Sequence, residues 1–224
     1  MSVFLEACGG ARANVLVSGN APLPLLSALA ATGAGGERVV VVQDVEEVGV
    51  GNAHAASLSF GDTRQLGEAS VRAASKLRPD RLIVTKLEGG VAAATVDAMA
   101  EGSDGVLAAL SAPTLRQGIG RLISQLVLHR PGLAFEGTRE VVGESFDLAL
   151  EMSSFPDGRL RVTRVAELGG VDAKGIVARD LFLWTADAAG DGSFSATGVV
   201  PRIANELAAR GTKLDPAIFK RGGR

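Results

Sequence analysis

Short apolar runs alternate with stretches of helical periodicity through the first half of the chain, the mark of βαβ units built around a parallel sheet. Val15-Leu16-Val17 is a buried strand candidate, and Leu23 to Ala31 reads as the helix after it. Val39-Val40-Val41-Val42 is β-branched throughout and too short for a helical repeat, so it predicts a central strand. A helix is expected from Arg64 to Leu77, ending at Pro79. The next strand, Leu82-Ile83-Val84, leads through Gly89-Gly90 into an alanine-rich helix that runs to Ala100. Val106 to Leu110 is a further strand. Pro113 then opens a helix with apolar residues at Ile119, Leu122, Ile123, Leu126 and Val127.

The second half changes texture. Phe146 to Glu151 and Leu160 to Val165 have strand character and flank Pro156-Asp157-Gly158, which predicts a hairpin. Leu181 to Trp184 and Ser193 to Thr197 flank an Asp/Ala/Gly turn and predict a second one. Val199 to Arg210 reads as a closing helix stopped by Gly211, and Lys220 to Arg224 as a frayed Gly/Arg-rich tail. With no repeat and no long linker, one compact unit is expected, with an antiparallel C-terminal portion.

Composition narrows the function classes. At 224 residues, 46% hydrophobic and 21% charged, the chain can bury a real core. A net charge of -2 gives no global basic field for nucleic acid or an anionic membrane. Aromatics are 4% and Tyr is absent, which disfavours a base-stacking platform. Nothing approaches the ~18 apolar residues of a membrane helix, so membrane contact is expected only through partners. Cys8 is the sole cysteine, which rules out an intramolecular disulfide or a cysteine-cluster metal site and fits a reducing cytoplasm. It is expected as a core residue of the first helix. Leu5-Glu6-Ala7-Cys8 lacks the preceding basic and apolar segments of a lipoprotein leader.

Several segments, in order, then carry a resemblance. Phe4-Leu5-Glu6-Ala7-Cys8 and Ala11 to Gly19 resemble the run leading into the phosphate loop of the Tad/Flp pilus assembly ATPases, part of the type II/type IV secretion motor superfamily. Leu25 to Leu29 is similar to the helix after that loop, and Glu37 to Asp44 to the family's acidic strand end. Leu77-Arg78-Pro79-Asp80-Arg81-Leu82-Ile83-Val84 resembles its Walker B strand with the Arg-Pro-Asp-Arg lead-in. Asp104-Gly105 and Arg121-Leu122 are similar to the surroundings of the histidine motif, and Arg161-Val162-Thr163, Ala196-Thr197-Gly198 and Pro216 to Phe219 to the C-terminal region. The resemblance implies a RecA-like P-loop NTPase fold of class α/β. Its parallel-sheet core is expected over residues 1–145, with a smaller antiparallel and helical portion over 146–224. The family's separate N-terminal domain is expected to be missing, since the sequence begins just before the first core strand.

The chemistry of that family is not retained. A phosphate loop, G-x-x-x-x-G-K-[ST], wraps phosphates with backbone N–H groups, reaches the β- and γ-phosphates with Lys and holds Mg²⁺ with the hydroxyl. Here the loop reads Ser18-Gly19-Asn20-Ala21-Pro22-Leu23-Pro24-Leu25, without Lys or hydroxyl in place and about three residues short of that motif. Pro22 and Pro24 each delete an N–H. Gln43 stands where the resemblance places a catalytic Glu, and a neutral amide is no general base. Thr85-Lys86 replaces the Walker B Gly-Glu, Glu88 stands for an Arg before Gly-Gly, and Ser111 for the histidine. Ser57 takes the place of the arginine after the next strand, and Asp44 reads as a strand-end carboxylate. Lys86 and Glu88 could pair with each other, or Lys86 could swing into the phosphate cavity.

Other motifs carry less. Gly49-x-Gly51 lacks the third glycine of a dinucleotide fingerprint, and no G-x-S-x-G is present. His54 and His129 lack ligand spacing, and Asp187, Asp191 and Gly192 read as a hairpin tip rather than a calcium loop. Arg202, Arg210, Lys213, Lys220, Arg221 and Arg224 make a basic end, read as a solvated face that could meet an acidic partner. The expectation is therefore a pseudo-ATPase with no catalytic residues, bound nucleotide, metal or cofactor. It would be cytoplasmic or sit at the cytoplasmic face of the inner membrane. Its expected partner is an active Tad-family ATPase or an inner-membrane platform or scaffold protein, with self-association possible. The alternatives are a divergent NTPase using Lys86 and a small-ligand sensor in the emptied cavity.

Overall fold

The computed structural model describes residues 1–221 apart from 34, 52, 53, 62, 131, 174, 187–191 and 210. Its elements run α1 Ser2–Gly10, β1 Val15–Gly19, α2 Leu23–Ala30, β2 Val39–Gln43, β3 Ala55–Ser59, α3 Arg64–Lys76, β4 Arg81–Val84, α4 Gly89–Ala100, β5 Val106–Ser111, α5 Leu115–His129 and α6 Phe135–Ser145. They continue with β6 Leu148–Ser154, β7 Leu160–Asp172, β8 Gly175–Ala186, β9 Gly192–Ala196 and α7 Ile203–Ala209, and close in a 3₁₀ turn over Pro216–Phe219.

Among the described residues the nine strands form one sheet in the order β3-β2-β4-β5-β1-β6-β7-β8-β9. From β3 to β6 the neighbours are parallel, and from β6 to β9 they are antiparallel. The first strand of the C-terminal portion thus completes the parallel half: β6 pairs with β1 in register Val15↔Leu148. Strands β1, β2 and β4 are buried at every position, as strands covered by helices on both faces must be.

Alternating residues feed two cores. Leu16, Val40, Val42, Leu82, Val84, Ala108 and Leu110 face α3, α4, α5 and α6. Val15, Val17, Val39, Val41, Ile83, Leu107 and Ala109 face α1, α2 and α7. On the second face Phe4 of α1, Phe182 of β8 and Phe219 of the closing turn meet with ring centroids 5.3 to 6.0 Å apart, tying the end of the chain to its beginning. Cys8 is buried there, and burial, with Asp147 and Glu167 adding to it, pushes its thiol far above the ordinary range.

The Arg-Pro-Asp-Arg segment is a structural fastener. Arg81 is fully buried, its guanidinium bonded to Glu37 at 3.1 Å and to the Gly9 carbonyl at 2.8 Å. Arg12 pairs with Asp80 at 2.9 Å, and Asp80 also accepts the Arg38 N–H at 2.9 Å. Together these join α1, the lead into β2 and the lead into β4.

Strand β3 and helix α6 are not marked in the amphipathic pattern. β3 is Ala-Ala-Ser-Leu-Ser and largely exposed at the sheet edge. The expected hairpins form, and a third joins β7 to β8. The Asp187 and Asp191 tip lies outside the described residues, and the closing helix spans Ile203–Ala209 rather than starting at Val199.

Candidate functional site

The parallel strands end together on one side of the sheet, the side where open α/β sheets hold their ligands. β1 ends at Gly19 and α2 begins at Leu23, so three residues make the connection. Gly19 has φ 123°, and a Cβ there would collide with the Met152 backbone of β6. Asn20 turns its amide onto that same strand: Oδ1 accepts the Ser154 N–H at 2.7 Å, and Nδ2 donates to the Ser154 carbonyl at 3.4 Å. Pro22 caps α2 and Pro24 sits in its first turn. Among positions 20–24 only Asn20, Ala21 and Leu23 therefore carry a backbone N–H. Leu25 and Leu26 are buried against the sheet, so this helix start is anchored by apolar packing.

Gln43, the last residue of β2, is fully buried and satisfied. Its Oε1 accepts the N–H groups of Glu47 and Val48 at 3.1 Å each, and its Nε2 donates to Ser57 Oγ at 2.8 Å. The positions expected for a catalytic acid and an arginine thus hold each other. Next to them Lys86 donates to Asp44 Oδ2 at 2.7 Å, with Lys86 half exposed and Asp44 mostly covered. The backbone aims this pair: Thr85 N–H bonds the Val42 carbonyl at 3.1 Å and Leu87 N–H the Ala109 carbonyl at 2.8 Å, fixing the loop after β4 between β2 and β5. Partial burial raises the Asp44 carboxyl, but the hydrogen bonds from Lys86 and Val45 N–H prevail and hold it below the ordinary range.

Glu88 lies at the N-cap position of α4 without a side-chain cap bond. Ser111 ends β5 with its side chain exposed and its carbonyl accepting Arg121 Nη1 at 2.6 Å. Glu151 belongs to no sequence motif: its Oε2 accepts the Leu115 N–H at 2.6 Å, and its Oε1 accepts the Thr163 hydroxyl at 2.6 Å. A carboxylate at the start of α5 suits the positive end of the helix dipole. Only the fold, by laying β6 under α5, reveals it.

These residues surround a cleft of about 200 Å³. Leu23, Asp44, Glu47, Thr85, Lys86, Glu88 and Ser111 are among its walls, so three carboxylates face one ammonium, itself paired. A wider cleft of about 410 Å³ opens on the other side of the loop after β4, between Phe60, Val91, Gln125, Leu128 and His129. There Gln125 accepts the Gly89 N–H at 3.1 Å and its carbonyl meets His129 Nδ1 at 2.9 Å. His54 is exposed just before β3. Arg202 is not simply solvated: it donates to the Leu168 carbonyl at 3.2 Å and lies 3.8 Å from Glu167. Lys213, Lys220 and Arg221 are exposed, while Arg210 and Arg224 lie outside the described residues. Among the described residues no helix is long and apolar enough to cross a membrane.

No family model matches the chain. In sequence it is 28% identical over 165 residues to the conjugal transfer protein TrbB of Rhizobium radiobacter, covering 71% of this chain and 49% of that protein. It is 28% identical over 123 residues to the probable conjugal transfer protein TrbB of Sinorhizobium fredii (strain NBRC 101917 / NGR234), covering 55% of this chain and 36% of that protein. The chain therefore spans half or less of the length of these relatives. In structure it is similar to the VirB11 ATPase of the Brucella suis type IV secretion system, solved with sulphate, at a TM-score of 0.67 and 19% identity over 73% of this chain and 52% of that one. The Legionella pneumophila ATPase DotB gives a TM-score of 0.55 at 17% identity over 72% of this chain and 47% of that one. The chain thus has the α/β fold of the ATPases VirB11 and DotB, and a likeness in sequence to the conjugal transfer protein TrbB.

Proposed function

We propose that this chain is a degenerate member of the type II/type IV secretion ATPase family that neither binds nor hydrolyses ATP. In this reading it serves as a structural or regulatory component of a pilus or secretion machine of the Tad type. The observation that carries it is the joint geometry of the connection after β1 and the cleft beside it. A three-residue connection ending in Pro22, with Pro24 in the first turn of α2, replaces a phosphate-wrapping loop, and the walls carry three carboxylates where a triphosphate needs positive charge. Phosphoryl transfer depends on positioning and charge stabilisation, and this cleft offers the opposite sign. The competing reading, an NTPase driven by Lys86, is opposed by the 2.7 Å pair that commits Lys86 to Asp44. An intact core beside such a cleft leaves protein contact as the activity, directed at an active ATPase of the same machine, a platform or scaffold protein, or a second copy.

The test is nucleotide-dependent stability. Saturating MgATP, MgADP or MgGTP is expected to leave the unfolding transition unchanged, whereas a site filled at a hundredfold excess over Kd would add about 2.7 kcal/mol. ATP turnover that disappears in Lys86→Met would overturn the proposal. Affinity capture from the native cell, with the mass of the purified chain measured alone, identifies the partner: an intact ATPase at fixed stoichiometry marks a mixed assembly.

A further inference from the structure

The small cleft has a definite chemical preference of its own. Asp44, Glu47 and Glu88 contribute carboxylates to its walls, and Lys86 the one ammonium among the described lining residues. Lys86 is taken by Asp44, whereas Glu47 and Glu88 form no ion pair among the described residues. The cleft therefore carries excess negative charge, held at the ends of β2 and β4 by the backbone bonds of Thr85 and Leu87.

A second observation is independent of that charge. Thr85, another wall residue, is 6% exposed, and its Oγ1 has no hydrogen-bond partner. A buried hydroxyl without a partner costs free energy that a ligand donor would return. The cleft thus offers carboxylates as acceptors, with an unpartnered hydroxyl buried in its wall, and asks for donors carrying positive charge.

We infer that this cleft is a docking site for an arginine side chain displayed by a partner protein. A guanidinium fits the acceptor set better than an ammonium. It presents five N–H donors in a rigid planar fork, sheds water more readily, and can meet two carboxylates at once. A volume of about 200 Å³ suits one long side chain and no extended peptide. The inference rests on the reading that the cleft does not hold nucleotide. It gives that reading a partner chemistry: the contact replacing ATP is of opposite charge.

The experiment titrates the ¹⁵N-labelled full chain with N-acetyl-arginine methylamide, N-acetyl-lysine methylamide and MgATP in separate series. Saturable amide shifts at Asp44 to Val48 and Thr85 to Glu88 are expected with the arginine probe, weaker ones with lysine and none with MgATP. The arginine response should fall about tenfold in affinity in Glu47→Gln/Glu88→Gln and weaken as salt is raised. Should the double variant fail to fold, Glu47→Gln and Glu88→Gln singly carry the same comparison. Absence of saturable shifts at these amides, equal shifts across other surface acids, or no change in the variants overturns the inference. If MgATP is silent as well, only the docking site falls. Saturable MgATP shifts at these same amides would overturn the nucleotide-free reading along with it.

Discussion

Gln43 donates from Nε2 to Ser57 Oγ across 2.8 Å, so the last residue of β2 is fastened to the edge strand β3. The same side chain accepts the N–H groups of Glu47 and Val48 and shapes the loop that carries Asp44. Gln43→Ala removes all three bonds and leaves a buried N–H at Val48 without a partner. A loss of about 1–3 kcal/mol is expected in urea unfolding. An unchanged midpoint would mean that Gln43 does not organise this loop.

Asp44 supplies a pH signature. Burial raises its carboxyl, yet the Lys86 and Val45 bonds together keep it below its ordinary value of 3.8. A carboxyl lower in the folded than in the unfolded state stabilises the fold above its unfolded pKa. That contribution is lost as pH falls from 3.8 through the folded value. Lys86→Met should move the Asp44 carboxyl upward in a ¹³C titration and flatten the loss of stability in that acid window. A resonance that titrates unchanged in the variant would show that the pair is not what holds Asp44.

Gly19 is needed for shape. Its φ of 123° and the Met152 backbone against its α-carbon leave no room for a side chain. Gly19→Ala should cost about 3 kcal/mol or more, overpacking adding to left-handed strain. Gly35→Ala, at a position with open space around it, serves as the control and should be close to neutral. Equal midpoints for the two variants would contradict the packing of β1 on β6.

The Arg81–Glu37 pair predicts a non-additive result. Arg81→Met leaves Glu37 buried with its main partner gone and is expected to cost about 3–5 kcal/mol. Replacing both residues by apolar ones, Arg81→Met/Glu37→Leu, should cost less than the single change, because no charge is then stranded. A double variant less stable than either single one would show that the pair itself holds the fold together.

Much of this architecture is legible from residues alone, for identifiable reasons. β1, β2, β4 and β5 are short apolar runs because helices cover both their faces, and Pro156-Asp157-Gly158 marks its turn by backbone chemistry. β3 escapes because an exposed edge needs no apolar alternation. The length of β7 and β8 is masked by Gly169-Gly170, where the register shifts between Leu168 and Val171. In the site, the identity of Gln43, Lys86, Glu88 and Ser111 can be read from the sequence, but their contacts cannot. Lys86 and Asp44 lie 42 residues apart and meet because β2 and β4 are neighbours. Glu151 reaches Leu115 only through the β1–β6 pairing.

That β1–β6 pairing has a further consequence. β1 is buried along its whole length, with β5 on one side and β6 on the other. Severing the chain after Ser145 would expose one entire flank of this central strand to water, stripping its amide ladder and the apolar side chains beside it. The seam between the two halves of the sheet is no place to divide the molecule. Its C-terminal hairpins are the other half of the wall on which the first strand rests.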